Sequence, residues 1–193
     1  MSSTRMTGQQ RREQVLAVAE REFAAAGLHG ASTETIAHRA GITQAYVFRL
    51  FGTKRQLFVE CVDAAFERMR LALLAAAGGA SGIEALAAMG REYNAMLADR
   101  TTLLLQLQGF AAAAAGDDDV REAVRGSFGR LWQAVADTAR LDPVTVKTFL
   151  AFGMLLNTNA ALELTEIDDR WARQARTRIR AGLFSHITRE TNK

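Results

Sequence analysis

Apolar residues recur at three- and four-residue steps along most of the chain, and glycine, proline or short acidic clusters interrupt them. That period predicts amphipathic α-helices rather than strands. Val15, Ala19, Phe23 and Ala26 make the inner stripe of a first helix over about residues 9–27, with Thr7 and Gln10 in capping-box spacing. Gly27 ends that helix and Gly30 marks a loop. Ser32 or Thr33 can cap a second helix over roughly 33–40, whose Ile36 and Ala37 face inward. Gly41 supplies a tight turn and a third helix covers about 43–50. Thr53 with Gln56 then starts a fourth, which extends towards Ala77 on the stripe Leu57, Phe58, Cys61, Val62, Ala65, Phe66 and Met69.

Residues 78–82 form the clearest break, after which Ser81 and Glu84 stand in capping-box spacing and Ile83, Leu86, Gly90, Tyr93 and Leu97 follow one face. The segment 102–115 is apolar nearly all round, which predicts a helix sheathed by others. Asp117, Asp118 and Asp119 suit the positive end of the next helix, where Val120, Val124, Phe128, Leu131 and Val135 repeat at helical spacing. Asp142-Pro143 pairs an N-cap with proline at the first helical position and opens a strongly apolar helix over about 143–164. The last helix, about 168–188, sets Trp171, Ala175, Ile179, Leu183 and Ile187 on one stripe and arginines 170, 173, 176, 178 and 180 on the other face. The expected fold is all-α with about nine helices. A compact module of three helices and the start of a fourth occupies residues 1–55, and a larger helical domain occupies 56–193.

Composition narrows this further. Nearly half of the 193 residues are hydrophobic, so the chain can bury a real core. A single cysteine, Cys61, excludes an internal disulfide framework and suits a reducing cytoplasm. The first residues lack the apolar core of a signal peptide, and no stretch reaches the roughly 20 apolar residues of a membrane span, which makes a soluble cytoplasmic protein the expectation. Net charge is +3, but eight Lys/Arg against four acids fall in residues 1–55 and 16 against 17 in the rest. The positive excess therefore travels with the N-terminal module, where it would attract a polyanion.

Two short helices joined by a glycine turn, the second rich in hydrogen-bonding side chains, is how a helix-turn-helix reads. Thr43, Gln44 and Tyr46 open the second helix, the end that meets base edges in such motifs. Gln44 is the strongest candidate for base readout, because an amide can bond adenine N6 and N7 together. Thr33 at a helix start, with Arg49 and Lys54, would contact phosphates, and Tyr46 would meet a thymine methyl or a phosphate. Ile36, Val47 and Phe51 belong to the core, while Arg21, Arg39 and Arg55 are expected on the solvated surface.

The surrounding spacings carry a resemblance. Arg12, Val15-Leu16, Ala19 and Phe23, then Gly27 and Gly30, Ser32-Thr33, Ile36-Ala37, Ala40-Gly41, and finally Phe48, Phe51 and Thr53-Lys54 together resemble the N-terminal domain of TetR-type transcriptional repressors. The motif-level likeness covers about the first 60 residues; beyond them only helix count and length agree. Two positions depart from the pattern. The family usually has tyrosine, whose hydroxyl reaches a phosphate, where Phe48 stands, and histidine is frequent where Leu50 stands; Tyr46 is the candidate to compensate.

The resemblance implies a homodimer reading a palindromic operator, since one recognition helix covers too few base pairs to be selective. The pairing surface would be the last two helices, with Phe152, Leu155, Leu156 and Leu162 on one and Trp171, Ile179 and Leu183 on the other. An effector pocket, if present, would draw on the middle helices: Tyr93, Met96, Gln106 and Phe110, with Phe128, Trp132, Phe149 and Asn157. Large apolar groups with a few amides compose such a pocket, and an ordinary helical core as well. Few charges among them favour a small lipophilic effector.

Catalysis finds little support, and an α-helical enzyme with a hydrophobic substrate site is the weakest of three readings. His29, His38 and His186 stand at no metal-ligand spacing from one another or from Cys61, and no phosphate loop, nucleophile elbow or cofactor motif occurs. The rival class is a helical interaction or small-molecule-binding protein that keeps the motif as scaffold.

Overall fold

The computed structural model describes residues 7–177. Among them it contains nine α-helices and a 3-10 turn. These are α1 Gly8–Gly30, α2 Thr33–Arg39, α3 Gln44–Phe51, α4 Lys54–Ala77 and α5 Gly82–Met96. Then come α6 Arg100–Ala114, α7 Asp118–Ala139, α8 Pro143–Ala161, the 3-10 turn Leu164–Glu166, and α9 Arg170–Ala175. Ile179 and Leu183, expected on the pairing surface, lie outside the described residues, as do Arg178, Arg180, His186 and Ile187.

The chain divides into two compact units, and the division falls within α4 and within α7. The first unit holds the residues up to Glu67 and Arg100–Phe128. Val15, Ala19 and Phe23 of α1 are buried there with Ile36, Val47, Phe51, Leu57, Phe58, Cys61 and Val62, as the helical spacing predicts. Phe23 and Phe58 meet edge to face with centroids 5.2 Å apart, a geometry that suits the ring quadrupoles. The second unit holds Arg68–Asp99 and the chain from Gly129 onward, with Met69, Leu73, Met89, Leu131, Val135 and Val146 inside it.

Several caps form as the spacing predicts. Thr7 and Gln10 exchange bonds of 2.8 and 3.2 Å, and Thr53 and Gln56 exchange bonds of 2.9 and 3.1 Å. Asp142 accepts from the amides of Val144 and Thr145 at 3.0 Å each, ahead of Pro143.

Other expectations are corrected. Ser81 makes no side-chain cap bond, because Gly82 stands at φ +64° and bends the first turn away from capping-box geometry. The buried face of α5 is Ala85, Leu86, Met89 and Tyr93, a stripe rotated from the expected one, so Ile83 is exposed. Ala26 is exposed too; the chain breaks at Gly27 and buries Ala24 and Leu28 instead. Helix α8 stops at Ala161, with Glu163 left-handed at φ 52° before the 3-10 turn.

Candidate DNA interface

The turn between α2 and α3 is built by backbone bonds. Ser32 caps α2, its hydroxyl accepting from Thr35 N at 3.3 Å. At the other end Gly41 sits at φ +66°, its amide donates to His38 O at 3.1 Å, and Ile42 N donates to Ala37 O at 3.0 Å. That pair of bonds on a left-handed glycine is a Schellman motif, and it reverses the chain in the fewest residues. Thr43 then caps α3, its Oγ1 accepting from Tyr46 N at 3.3 Å.

Helix α3 divides cleanly by exposure. Val47 and Phe51 are buried, Tyr46 and Leu50 are half-buried, and Gln44, Ala45, Phe48 and Arg49 are exposed, as is the capping Thr43. The polar and aromatic tips therefore point away from the core that holds the helix rigid. Phe48 leaves 39% of its surface exposed, unusual for a phenyl ring that has no polar group to keep wet.

Each expected contact residue has a definite setting. Gln44 Nε2 donates to Thr33 Oγ1 at 2.7 Å, and Thr33 is itself buried. The Arg49 guanidinium lies 4.6 Å from the Tyr46 ring centroid, a cation-π pair on the exposed side of α3. Among the described residues no carboxylate pairs with Arg49. Lys54 Nζ donates to His29 O at 3.0 Å, next to the end of α1, with two N–H donors left over.

Three other basic side chains of this unit are tied to acids. Arg39 pairs with Glu22, and Arg12 pairs with Glu60 while lying 4.6 Å over the Phe51 ring. Arg55 bridges Asp117 at 2.7 Å and Asp119 at 3.2 Å. Arg55 is thus an ion-paired surface group joining the start of α4 to the start of α7. The sequence hid this pairing and the Gln44–Thr33 bond, because contacts between distant segments leave no periodic trace.

The residues considered for an effector fall into both units. In the first, Gln106 is buried, and Phe110 and Phe128 meet Phe66 edge to face at 5.8 and 6.4 Å. In the second, the Tyr93 hydroxyl donates to the Asn157 side-chain oxygen, both groups buried, and burial pushes the Tyr93 phenol well above its ordinary range. A Cβ at Gly90 would lie 3.6 Å from the Phe149 ring, and Met96 and Trp132 are half-buried. Of the expected pairing residues, Leu155, Leu162 and Trp171 are exposed at 43%, 58% and 53%, and Phe152 and Leu156 are half-buried.

Residues 15–61 match the family model of bacterial regulatory proteins, tetR family. The chain carries a TetR-family DNA-binding domain. Its matched span runs from the first core residue of α1 through the turn to Cys61, so the TetR-type helix-turn-helix just described lies wholly inside it. No curated protein sequence matches the chain.

Solved structures share the fold. A TetR-like transcriptional regulator from Rhodococcus sp. RHA1 superposes with TM-score 0.64 at 22% identity, over 89% of this chain and 94% of that one. The TetR family transcriptional regulator PfmR from Thermus thermophilus gives 0.62 at 18%, over 84% and 92%. The fatty acid degradation regulator FadR from Bacillus halodurans gives 0.60 at 15%, over 89% and 93%. With that domain in place, the chain is a DNA-binding transcriptional regulator.

Proposed function

We propose that this regulator is a ligand-responsive repressor, not an enzyme, and that it acts in the cytoplasm as a homodimer on a palindromic operator. The observation that carries the reading is the exposure pattern of α3: Thr43, Gln44, Phe48 and Arg49 outward, Val47 and Phe51 locked inward. Residues 1–55 form the DNA reader and 56–193 serve sensing and pairing. Gln44 reads a base, and Tyr46 packs on a thymine methyl or a phosphate. Thr43, Arg49 and Lys54 add phosphate contacts, with the backbone amide of Thr33 at the α2 N-terminus. Each lost phosphate contact lowers the salt slope by about one.

Pairing is supported by the exposed apolar groups of the second unit. Leu155 and Leu162 near α8 and Trp171 on α9 leave large side chains in water that a second copy would cover. An effector would act by population shift, favouring a conformation whose paired recognition helices no longer match the groove spacing. The aromatic and amide groups considered for its site favour a lipophilic molecule and call for no cofactor. Among the described residues no cluster of His, Cys, Asp and Glu could hold a metal ion, and no helix is long and apolar enough to cross a membrane.

Sequencing genomic fragments retained by the purified protein tests the reading. A palindrome should emerge, bound in a salt-dependent manner and lost when Gln44 and Tyr46 are both changed to alanine. Failure to retard any fragment at low ionic strength would overturn it.

A further inference from the structure

We propose that Thr33 is a positioning residue for base readout, acting through Gln44. This rests on the reading above, in which Gln44 meets a base edge. Gln44 is the first residue of α3 and its side chain is exposed, yet its amide is held from behind by Thr33 Oγ1 at 2.7 Å. Thr33 is 8% exposed and sits in the first turn of α2, a helix already capped by Ser32. Its hydroxyl is therefore free of capping duty and serves the neighbouring helix instead.

The chemistry of the amide makes this bond useful. A glutamine reads adenine by accepting from N6 through Oε1 and donating to N7 through Nε2. Nε2 carries two hydrogens, so one can stay on Thr33 while the other reaches N7, and Oε1 keeps its acceptor role. With Nε2 on Thr33 Oγ1, the bond holds the amide in place and leaves Oε1 available for adenine N6. Glutamine is a flexible side chain, and orienting it in the free protein removes part of the ordering cost from the binding step. The turn makes the arrangement possible, because the Schellman bonds at Gly41 bring the start of α3 back beside the start of α2.

A hydroxyl that positions Gln44 and a hydroxyl that contacts a phosphate predict different losses. Removing a positioning bond weakens discrimination at one base pair per half-site and leaves the salt dependence alone. Removing a phosphate contact weakens binding to every sequence alike and lowers the salt slope by about one.

The experiment uses the full chain. Duplexes selected from a random pool by the unaltered protein define the operator, and every single-base variant is then titrated at several salt concentrations with wild type, Q44A, T33V, T33A and T33S. We expect Q44A to flatten the preference at one position of each half-site. T33V should reduce the preference at that same position roughly five- to tenfold, the low end of what a good bidentate contact discriminates, with an unchanged salt slope. T33S, which keeps the hydroxyl, should behave like wild type. T33A removes the same hydroxyl with less bulk and supplies the measurement if valine disturbs folding.

If Q44A flattens a position while T33V and T33A leave it intact, the inference fails and the reading of Gln44 stands. A uniform loss of affinity with a slope lower by about one also overturns it. If Q44A alters no position, the reading of Gln44 fails first and the inference falls with it.

Discussion

A methyl group added to Gly109 of α6 would lie 2.8 Å from Cγ1 of Val62 on α4, and 3.7 Å from Cγ2 of Val124 on α7. Valine is branched at Cβ and cannot swing its methyls away as a long side chain can. Changing Gly109 to alanine would gain roughly 1 kcal/mol of helix propensity but force an overpacked contact that typically costs about 1–3 kcal/mol. Overpacking is therefore expected to win, lowering the urea midpoint at unchanged m-value. A variant as stable as wild type would show that α6 can move away from α4 at little cost.

Gly27 sets a different kind of constraint. Its backbone lies at φ 68°, ψ −176°, a region open essentially to glycine alone, and a Cβ there would come within 2.6 Å of Gln108 Oε1. The glutamine tip can retreat; the backbone cannot. Gly27→Ala should cost about 1–3 kcal/mol, and adding Gln108→Ala should recover little of it. Chemical denaturation of the single and double variants checks this, and full recovery in the double variant would assign the cost to the clash instead.

The stacking of Arg49 on Tyr46 separates ring from hydroxyl. Tyr46→Phe keeps the ring beneath the guanidinium and deletes only the hydroxyl proposed to replace the one missing at Phe48. Operator affinity should fall and the salt slope should drop by about one. Tyr46→Ala should weaken binding further, because Arg49 loses the surface that holds it in place. Titration of the selected duplex at several salt concentrations measures both, and an unchanged slope in Tyr46→Phe would dismiss the phosphate contact.

Tyr93 gives a pH signature. Burial raises its folded-state pKa, so the unfolded chain releases the phenolic proton first, near the ordinary value of 10.0. Above that pH the unfolded state binds fewer protons, and the contribution of this group to stability falls as pH rises. It is fully present below pH 10. Changing Tyr46 to phenylalanine leaves Tyr93 as the one tyrosine, since the chain has 2. In that variant the folded protein should show no phenolate absorbance at about pH 10.5, and urea at the same pH should release it. Phenolate appearing in the folded protein near pH 10 would mean the ring is wet.

Much of the local structure was legible because it is encoded by neighbours. Capping boxes, the proline after Asp142, the glycine turn and the Val15, Ala19 and Phe23 stripe of α1 each depend on residues within one or two turns of one another. Where a local signal failed, backbone geometry outweighed it. Ser81 and Glu84 have the right spacing for a cap, but Gly82 adopts a left-handed conformation between them. Alanine was the other weak point. Ala26 and Ala24 differ little in hydrophobicity, so spacing alone did not say which of them α1 buries.

The candidate interface divides the same way. Exposure of Thr43, Gln44 and Arg49 follows from α3 having one apolar side, and that much is written in the order of its residues. What those side chains touch is not. The Thr33 hydroxyl under Gln44, the Tyr46 ring under Arg49 and the His29 carbonyl at Lys54 depend on how the chain returns to itself. So does the clasp of Arg55 on Asp117 and Asp119, between residues more than 60 positions apart.

From its sequence alone this protein was determined to be a set of amphipathic helices that begins with a basic helix-turn-helix, because helical period, caps and turns act over a few residues. Only tertiary structure decided which polar groups are held, paired or left available. Hydrogen bonds and ion pairs need partners within a few ångströms, and packing distant helices together is what supplies them.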